Sequence, residues 1–325
     1  MLENNFSLPS FADVQAASAR IAPHACITPV LRMRSLDRLA QCTILFKSEH
    51  LQRGGAFKFR GACNAVLSLD SEQARRGVVT HSSGNHGAAL ALAAQLRGIA
   101  CHVVAPEGAL ASKLKAIQAH DAVLHHCAPT IAARDAKARE VQAQTGAHLV
   151  HPYTDARVIA GQGTAALELL TAAPDLDAIV VPVGGGGLAS GSLLTAAALA
   201  PGVRVIGAEP AGATETLASL QRGERVTEFT PSTICDGLRG TLGAPNFELM
   251  RRHAFEVIAV DDAATLTAMR LLWERGKQVV EPSSAIAFAA VLAERERFAG
   301  QRVGVIISGG NVDLDAMPWS PRATQ

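Results

Sequence analysis

From residue 78 to residue 307 the chain repeats one unit: a short apolar run, a loop of small or polar residues, and a stretch of helical length. The apolar runs lie at 78–81, 101–105, 122–125, 149–151, 178–183, 203–207, 255–260 and 303–307. Stretches of helical length lie among them at 88–96, 112–119, 130–145, 161–170, 188–199, 265–275 and 284–295. Short apolar runs without strict alternation suit strands buried on both faces, and strands that alternate with helices are joined by crossovers. The predicted fold class is therefore α/β, with parallel-type sheets flanked by helices. Upstream, Ser10 caps a predicted helix over 11–21 that Pro23 ends, 44–47 reads as a short strand and 57–69 as a helix.

Ligands of such sheets collect at the carboxyl ends of the strands, so the junctions after the strands are where function is sought. Three junctions carry unusual residues. Gly184-Gly185-Gly186-Gly187 stands between an apolar run and a helix. Consecutive glycines let several backbone N–H groups converge, and a helix N-terminus adds partial positive charge, which together make a phosphate cup. It is neither a Gly-x-Gly-x-x-Gly fingerprint nor a Walker A sequence. Ser82-Ser83-Gly84-Asn85-His86-Gly87 offers hydroxyls, an amide and helix-terminal N–H groups suited to a carboxylate. Ser308-Gly309-Gly310-Asn311 closes the last predicted strand and puts a serine at its carboxyl end.

A fourth stretch precedes the repeating part. Lys58 stands between Phe57 and Phe59, just after Gly54-Gly55. The glycines are expected to admit a bulky group close to the backbone. Apolar neighbours strip water from an ammonium and lower its pKa, and a lysine that is neutral part of the time can form a Schiff base. The other lysines, Lys47, Lys113, Lys115, Lys137 and Lys277, lack such neighbours in sequence.

Composition narrows the function classes. The 325 residues suit one large domain or two moderate ones, and a hydrophobic fraction of 48% allows a large core. A formal net charge of +1 leaves no electrostatic footprint for nucleic acid. The six cysteines contain no Cys-x-x-Cys pair and read as buried thiols of a reducing compartment. The N-terminus lacks a basic region followed by an apolar run, and no apolar stretch is long enough to span a membrane. The expected location is cytoplasmic.

The lysine stretch, Ser-Ser-Gly-Asn-His, Gly-Gly-Gly-Gly-Leu, Glu281-Pro-Ser and Ser-Gly-Gly-Asn occur in this order. In that order they resemble the serine/threonine dehydratases and serine racemase, pyridoxal-phosphate enzymes of fold type II. His151-Pro152-Tyr153 and Ile159-Ala-Gly-Gln-Gly163 extend the resemblance, which runs from about residue 21 to 313. It implies a two-domain fold with a small domain, 77–147, inserted in a large cofactor-binding domain made of 1–76 and 148–325. It implies that Lys58 holds the cofactor and acts on the substrate α-proton, with Ser83 on the opposite face. Phe57, Asn85, Gly184 to Gly187, Leu188, Glu281 and Ser308 would bind the cofactor, with Asn85 at its phenolic oxygen and Ser308 at its ring nitrogen. Ser82, Ser83, Asn85, His86, Arg134 and His151 would face the substrate. Glu209, Ala213 and Glu215 resemble the family's Mg²⁺ or Ca²⁺ loop, although Thr214 stands where an acidic residue is common.

The implied activity is β-elimination from a β-hydroxy-α-amino acid, giving a 2-oxo acid and ammonia. L-Threonine and L-serine come first as substrates, with 3-hydroxyaspartate and phenylserine as alternatives. Racemisation on the same scaffold is the second reading, and a binding protein that has lost the chemistry is the third. A homodimer acting on a small amino acid, without nucleic acid or membrane, completes the expectation.

Overall fold

The computed structural model describes residues 7–109, 111–317 and 319. Its strands are β1 (Val30–Leu31), β2 (Thr43–Ser48), β3 (Val78–Thr80), β4 (Cys101–Pro106), β5 (Val123–Cys127), β6 (His148–Leu149), β7 (Ala178–Pro182), β8 (Arg204–Pro210), β9 (Glu256–Val260) and β10 (Arg302–Ile307). A six-stranded sheet runs β1-β2-β10-β7-β8-β9 and a four-stranded sheet runs β5-β4-β3-β6. Among the described strands only β1 is antiparallel to its neighbour. The α/β class with parallel sheets flanked by helices is therefore what forms. All of β7 and nearly all of β10 are buried, which is why these strands read as unbroken apolar runs.

The order β2-β10-β7 puts the carboxyl ends of β10 and β7 side by side. Ser308 and the glycine run thus leave the sheet as neighbours. The helix Pro282–Ala293 covers one face, with Phe288 edge-on to Phe46 of β2 at 5.5 Å between ring centroids. On the other face lie the helices Ala156–Ala172 and Gly187–Leu199.

Glycines set how closely these helices approach. A Cβ on Gly191 would stand 2.5 Å from the Gly163 nitrogen and the Ile159 oxygen. One on Gly161 would stand 2.7 Å from the Arg60 oxygen and the Gly61 Cα. The helix Ala156–Ala172 therefore packs backbone to backbone with both the helix Gly187–Leu199 and the lysine-bearing helix Lys58–Leu67. Sequence reasoning starts the middle helix at 161. It begins at Ala156, because Asp155 caps it by accepting from the Arg157 N–H at 2.8 Å.

The setting of Lys58 is not unique, contrary to the sequence reading. Lys47 is fully buried on β2, and burial drives its amine below the usual lysine range. It donates to the Thr28 carbonyl at 2.6 Å and to Glu168 at 2.5 Å. Arg60, also fully buried, forks onto Glu49 at 2.6 and 2.8 Å and onto Glu168 at 2.7 and 2.8 Å. Two cations and two anions from β2, the turn after it and two helices thus neutralise one another out of water.

Three further expectations change. The space beside Gly55 is filled by Asn311, whose Oδ1 would lie 2.4 Å from an added Cβ. The glycine there seats a neighbouring side chain rather than an incoming group. Cys26 is exposed and Cys127 partly so, whereas the other four cysteines are buried. Short helices at Arg34–Ala40, Ser71–Arg76, Glu215–Arg222 and Ala244–Arg252 escape a reading based on apolar periodicity, since each buries at most two or three apolar residues and Glu215–Arg222 buries only polar ones.

Candidate functional site

A cavity of about 330 Å³ opens between loops that follow strands of both sheets. Into it project the loop after β3, the loop after β7, Ser308 after β10 and the start of the helix Lys58–Leu67. Phe57, Lys58, Ser82, Ser83, Asn85 and His86 line it. So do Arg134, Gly184 to Gly187, Leu188, Glu281 and Ser308.

The lysine segment is fastened to the end of β10. The Phe57 N–H donates to the Ser308 carbonyl at 2.9 Å, Ala56 bridges Gly309, and the Gly310 N–H donates to the Gly55 carbonyl at 2.9 Å. These bonds bring Lys58 and the Ser308 hydroxyl into one cavity although they are far apart in sequence. The Lys58 amine donates to the Pro152 carbonyl at 3.2 Å and stands 4.9 Å from the Phe57 ring centroid. Loss of water lowers its pKa to about 8, against the opposing pull of Glu281.

Glu281 is buried and raised to about 7, by burial first and then by Asp236. It accepts from Asn85 Nδ2 at 3.0 and 3.2 Å, and Asn85 Oδ1 accepts from Asn311 at 3.0 Å. The Asn85 amide orientation is thereby fixed. His86 is 2% exposed, and burial holds it neutral, well below the usual histidine range, with Lys58 adding to the effect.

The glycine loop is gripped from behind. Gly185 lies against the Tyr153 ring, 2.3 Å from where a Cβ would be, and Gly184 lies 2.9 Å by the same measure from the Leu238 Cα. Asn246 Nδ2 and the Gly243 N–H hold the Gly185 carbonyl. Gly186 adopts φ +89° as it caps the helix Gly187–Leu199. Among the described residues, the N–H groups of Gly184, Gly185 and Gly186 meet no acceptor. Free N–H groups at a helix N-terminus, lining a cavity, fit a phosphate. With a desolvated lysine and a serine hydroxyl across the same cavity, the donor set fits pyridoxal phosphate.

His151 lines a pocket that adjoins this cavity and shares His81 and Tyr153 with it, and its ring packs edge-on against theirs at 5.0 and 4.6 Å between ring centroids. Its Nδ1 accepts from the Thr154 N–H at 3.2 Å, and burial takes its pKa down to about 3. The ring braces the turn at Pro152 and Tyr153 as a neutral acceptor. Sequence reasoning missed His81, Lys113, Tyr153, Asp236 and Arg239, all of which line the cavity. Tyr153, the one tyrosine of the chain, stands within the His-Pro-Tyr motif, so position gave notice of it. Asp236 and Arg239 lie in a loop without periodicity and gave none.

Glu209, Ala213 and Glu215 are buried together at the end of β8, apart from the cavity. Glu209 accepts from the Thr216 and Leu217 N–H groups at 2.8 and 3.0 Å. Neither oxygen of Glu215 has a hydrogen-bond partner. Among the described residues no three His, Cys, Asp or Glu side chains form a metal-binding cluster. A cation here would take two carboxylates and draw its other ligands from carbonyls and water.

A family described as "pyridoxal-phosphate dependent enzyme" matches residues 21–309. The chain belongs to this family. It is 45% identical over 313 residues to the beta-hydroxyaspartate dehydratase of Paracoccus denitrificans (strain Pd 1222), covering 96% of this chain and 99% of that one. It is 45% identical over 309 residues to a serine racemase of Dictyostelium discoideum, covering 94% of this chain and 95% of that one. Its fold matches the structure of maize serine racemase with a TM-score of 0.93 at 43% identity, covering 95% of each chain. Pyridoxal phosphate is the cofactor of the family, and fold type II is its architecture.

A lysine must be neutral to capture an aldehyde. Because burial lowers Lys58 to about 8, the rate at which cofactor-free protein captures added pyridoxal phosphate rises with pH and levels off above about 8. Stopped-flow absorbance across pH 6 to 10, a range set around that value, reads this directly. A rate still climbing toward pH 10 would place the amine at its ordinary value and contradict the desolvated setting.

Proposed function

We propose that the protein is a dehydratase that converts a β-hydroxy-α-amino acid to a 2-oxo acid and ammonia. The observation that carries this is the pairing of a desolvated Lys58 amine with a neutral hydroxyl, Ser308, at the end of β10. A carboxylate at that place would keep the cofactor's ring nitrogen protonated; a hydroxyl does not. When bound, pyridoxal phosphate supplies an electron sink for the α-carbon, and with a hydroxyl partner that sink is weaker. Elimination suits it, since the departing β-hydroxyl carries the electron pair away.

Within this reading the N–H groups from Gly184 to Leu188 would hold the phosphate, Asn85 would face the phenolic oxygen, Phe57 would lie against the ring, and Glu281 fixes Asn85. Lys58 removes the α-proton. Ser82, Ser83 and the start of the helix Asn85–Arg97 take the α-carboxylate, and Arg134 adds a cation whose Nε is buried without a partner. The enamine released after loss of hydroxide tautomerises and adds water, and ammonia leaves, which balances the reaction. The unit 77–147 closes on the bound carboxylate and excludes water. The working form is a cytoplasmic homodimer.

For the substrate, 3-hydroxyaspartate moves ahead of threonine and serine. The cavity carries Lys58, Lys113, Arg134 and Arg239 against Asp236 and Glu281, an excess of cations that suits a second carboxylate as well as a phosphate. The similarity to the Paracoccus dehydratase supports the same choice. Racemisation is the second reading, favoured by Ser83 sharing the cavity with Lys58, where it could carry a proton at the other face of the α-carbon.

Holo-protein is expected to release 2-oxo acid fastest from 3-hydroxyaspartate in a panel with serine, threonine and phenylserine, and Lys58→Ala is expected to lose at least about a thousandfold, since the base and the cofactor anchor go together. Formation of D-amino acid without loss of total amine, with no 2-oxo acid from any substrate, would replace the dehydratase reading by the racemase one.

Glu209, the Ala213 carbonyl and Glu215 are proposed to hold Mg²⁺ or Ca²⁺, which supplies the partners that Glu215 lacks. Saturating cation is expected to raise the melting temperature of the wild type, as about 2.7 kcal/mol at a hundred times Kd requires. Glu215→Gln is expected to abolish that response. An equal rise in the variant, or none in the wild type, would count against the site.

A further inference from the structure

Lys113 sits on the helix Ala111–Gln118, which follows β4 of the four-stranded sheet. Its ion-pair partner, Asp236, belongs to the turn Asp236–Leu238 beside the other sheet. Both line the cavity. The pair therefore crosses the cleft, and Asp236 is held from behind by Ser283 Oγ at 3.4 Å. The Lys113 and Asp236 side chains are 29% and 42% exposed, so their pairing in water is weak. A carboxylate entering the cavity can take the place of Asp236 on the lysine at little cost.

The other cations of the cavity have different employment. Lys58 meets the α-carbon in the reading above. Arg239 is committed to the Thr233 carbonyl through Nε and Nη2. Arg134 stands on the helix Ile131–Thr145 and joins the α-carboxylate group of residues. Lys113 alone among them is paired to an exposed, displaceable carboxylate that mimics the distal end of a dicarboxylic amino acid.

We infer that Lys113 is the specificity residue that reads the second carboxylate of the substrate, with Asp236 holding it in place until the substrate exchanges for it. The inference rests on the hydroxyaspartate reading and names the residue that would carry it.

The test uses malate and lactate, a dicarboxylate and a monocarboxylate that lack the amine and so cannot react, with calorimetry on holo-protein. Wild type is expected to bind malate more tightly than lactate. Lys113→Met is expected to lose about 10- to 150-fold of that preference, the range of one charged hydrogen bond. Lys113→Arg is expected to keep most of it, and Asp236→Asn to increase it, because the competing carboxylate is gone. The same order should hold for the ratio of kcat/KM on 3-hydroxyaspartate to that on serine. A preference unchanged within about twofold in Lys113→Met, or absent from wild type, would overturn the assignment. If wild type releases no 2-oxo acid while the malate preference still depends on Lys113, the reaction class fails and the carboxylate assignment stands.

Discussion

An amine can be kept out of water only if something else holds it there, and the architecture of this protein follows from that need. Among the described residues Lys58 makes no ion pair; it is desolvated between Phe57 and the Pro152 carbonyl, with Glu281 acting on it only from a distance. The helix that carries it is fixed from both ends of its first turn. On one side the chain is zipped to the strand end at Ser308 through Phe57 and Gly55. On the other, Arg60 is locked to Glu49 and Glu168 in a buried, charge-balanced cluster. Such a cluster contributes little net stability, but its bidentate geometry admits few alternatives. Glycine contacts between helices then set the distance from this helix to the one that begins at Gly187.

Burial also sorts the ionisable groups of the site. Lys58 falls to about 8 and Glu281 rises to about 7, so both lie near neutrality and within reach of proton exchange. His86 and His151 are held neutral and serve as fixed hydrogen-bonding groups. Asp236 and Arg239 line the same cavity and remain exposed, Arg239 with its guanidinium on the Thr233 carbonyl.

Much of this was legible in the chain because the chemistry demands unusual local sequence. Four glycines at a strand end, a serine after the last strand and a lysine between aromatics have few uses in a plain α/β sheet, and all three meet in one cavity. Sheet order depends on pairings between strands far apart in the chain, and the Lys47–Glu168 contact joins residues 121 apart, neither of which a local pattern encodes. The helix read over 161–170 begins earlier, at Ala156, and Gly161 and Gly163 within it permit backbone contacts with neighbouring helices. Resemblance marks His151 as a substrate residue, and its ring stands beside Tyr153 in the pocket that adjoins the cavity. Lys113 and Asp236 acquire meaning only where segments beside both sheets meet at the cavity.

On the reading proposed above, Lys58, desolvated by its place in the fold, is the seat of the chemistry. The most direct test is borohydride reduction of the holo-protein followed by mass mapping of the pyridoxyl group onto peptides. The account predicts a single adduct, on Lys58. Label on Lys47 or Lys113 instead, or spread over several lysines, would contradict it.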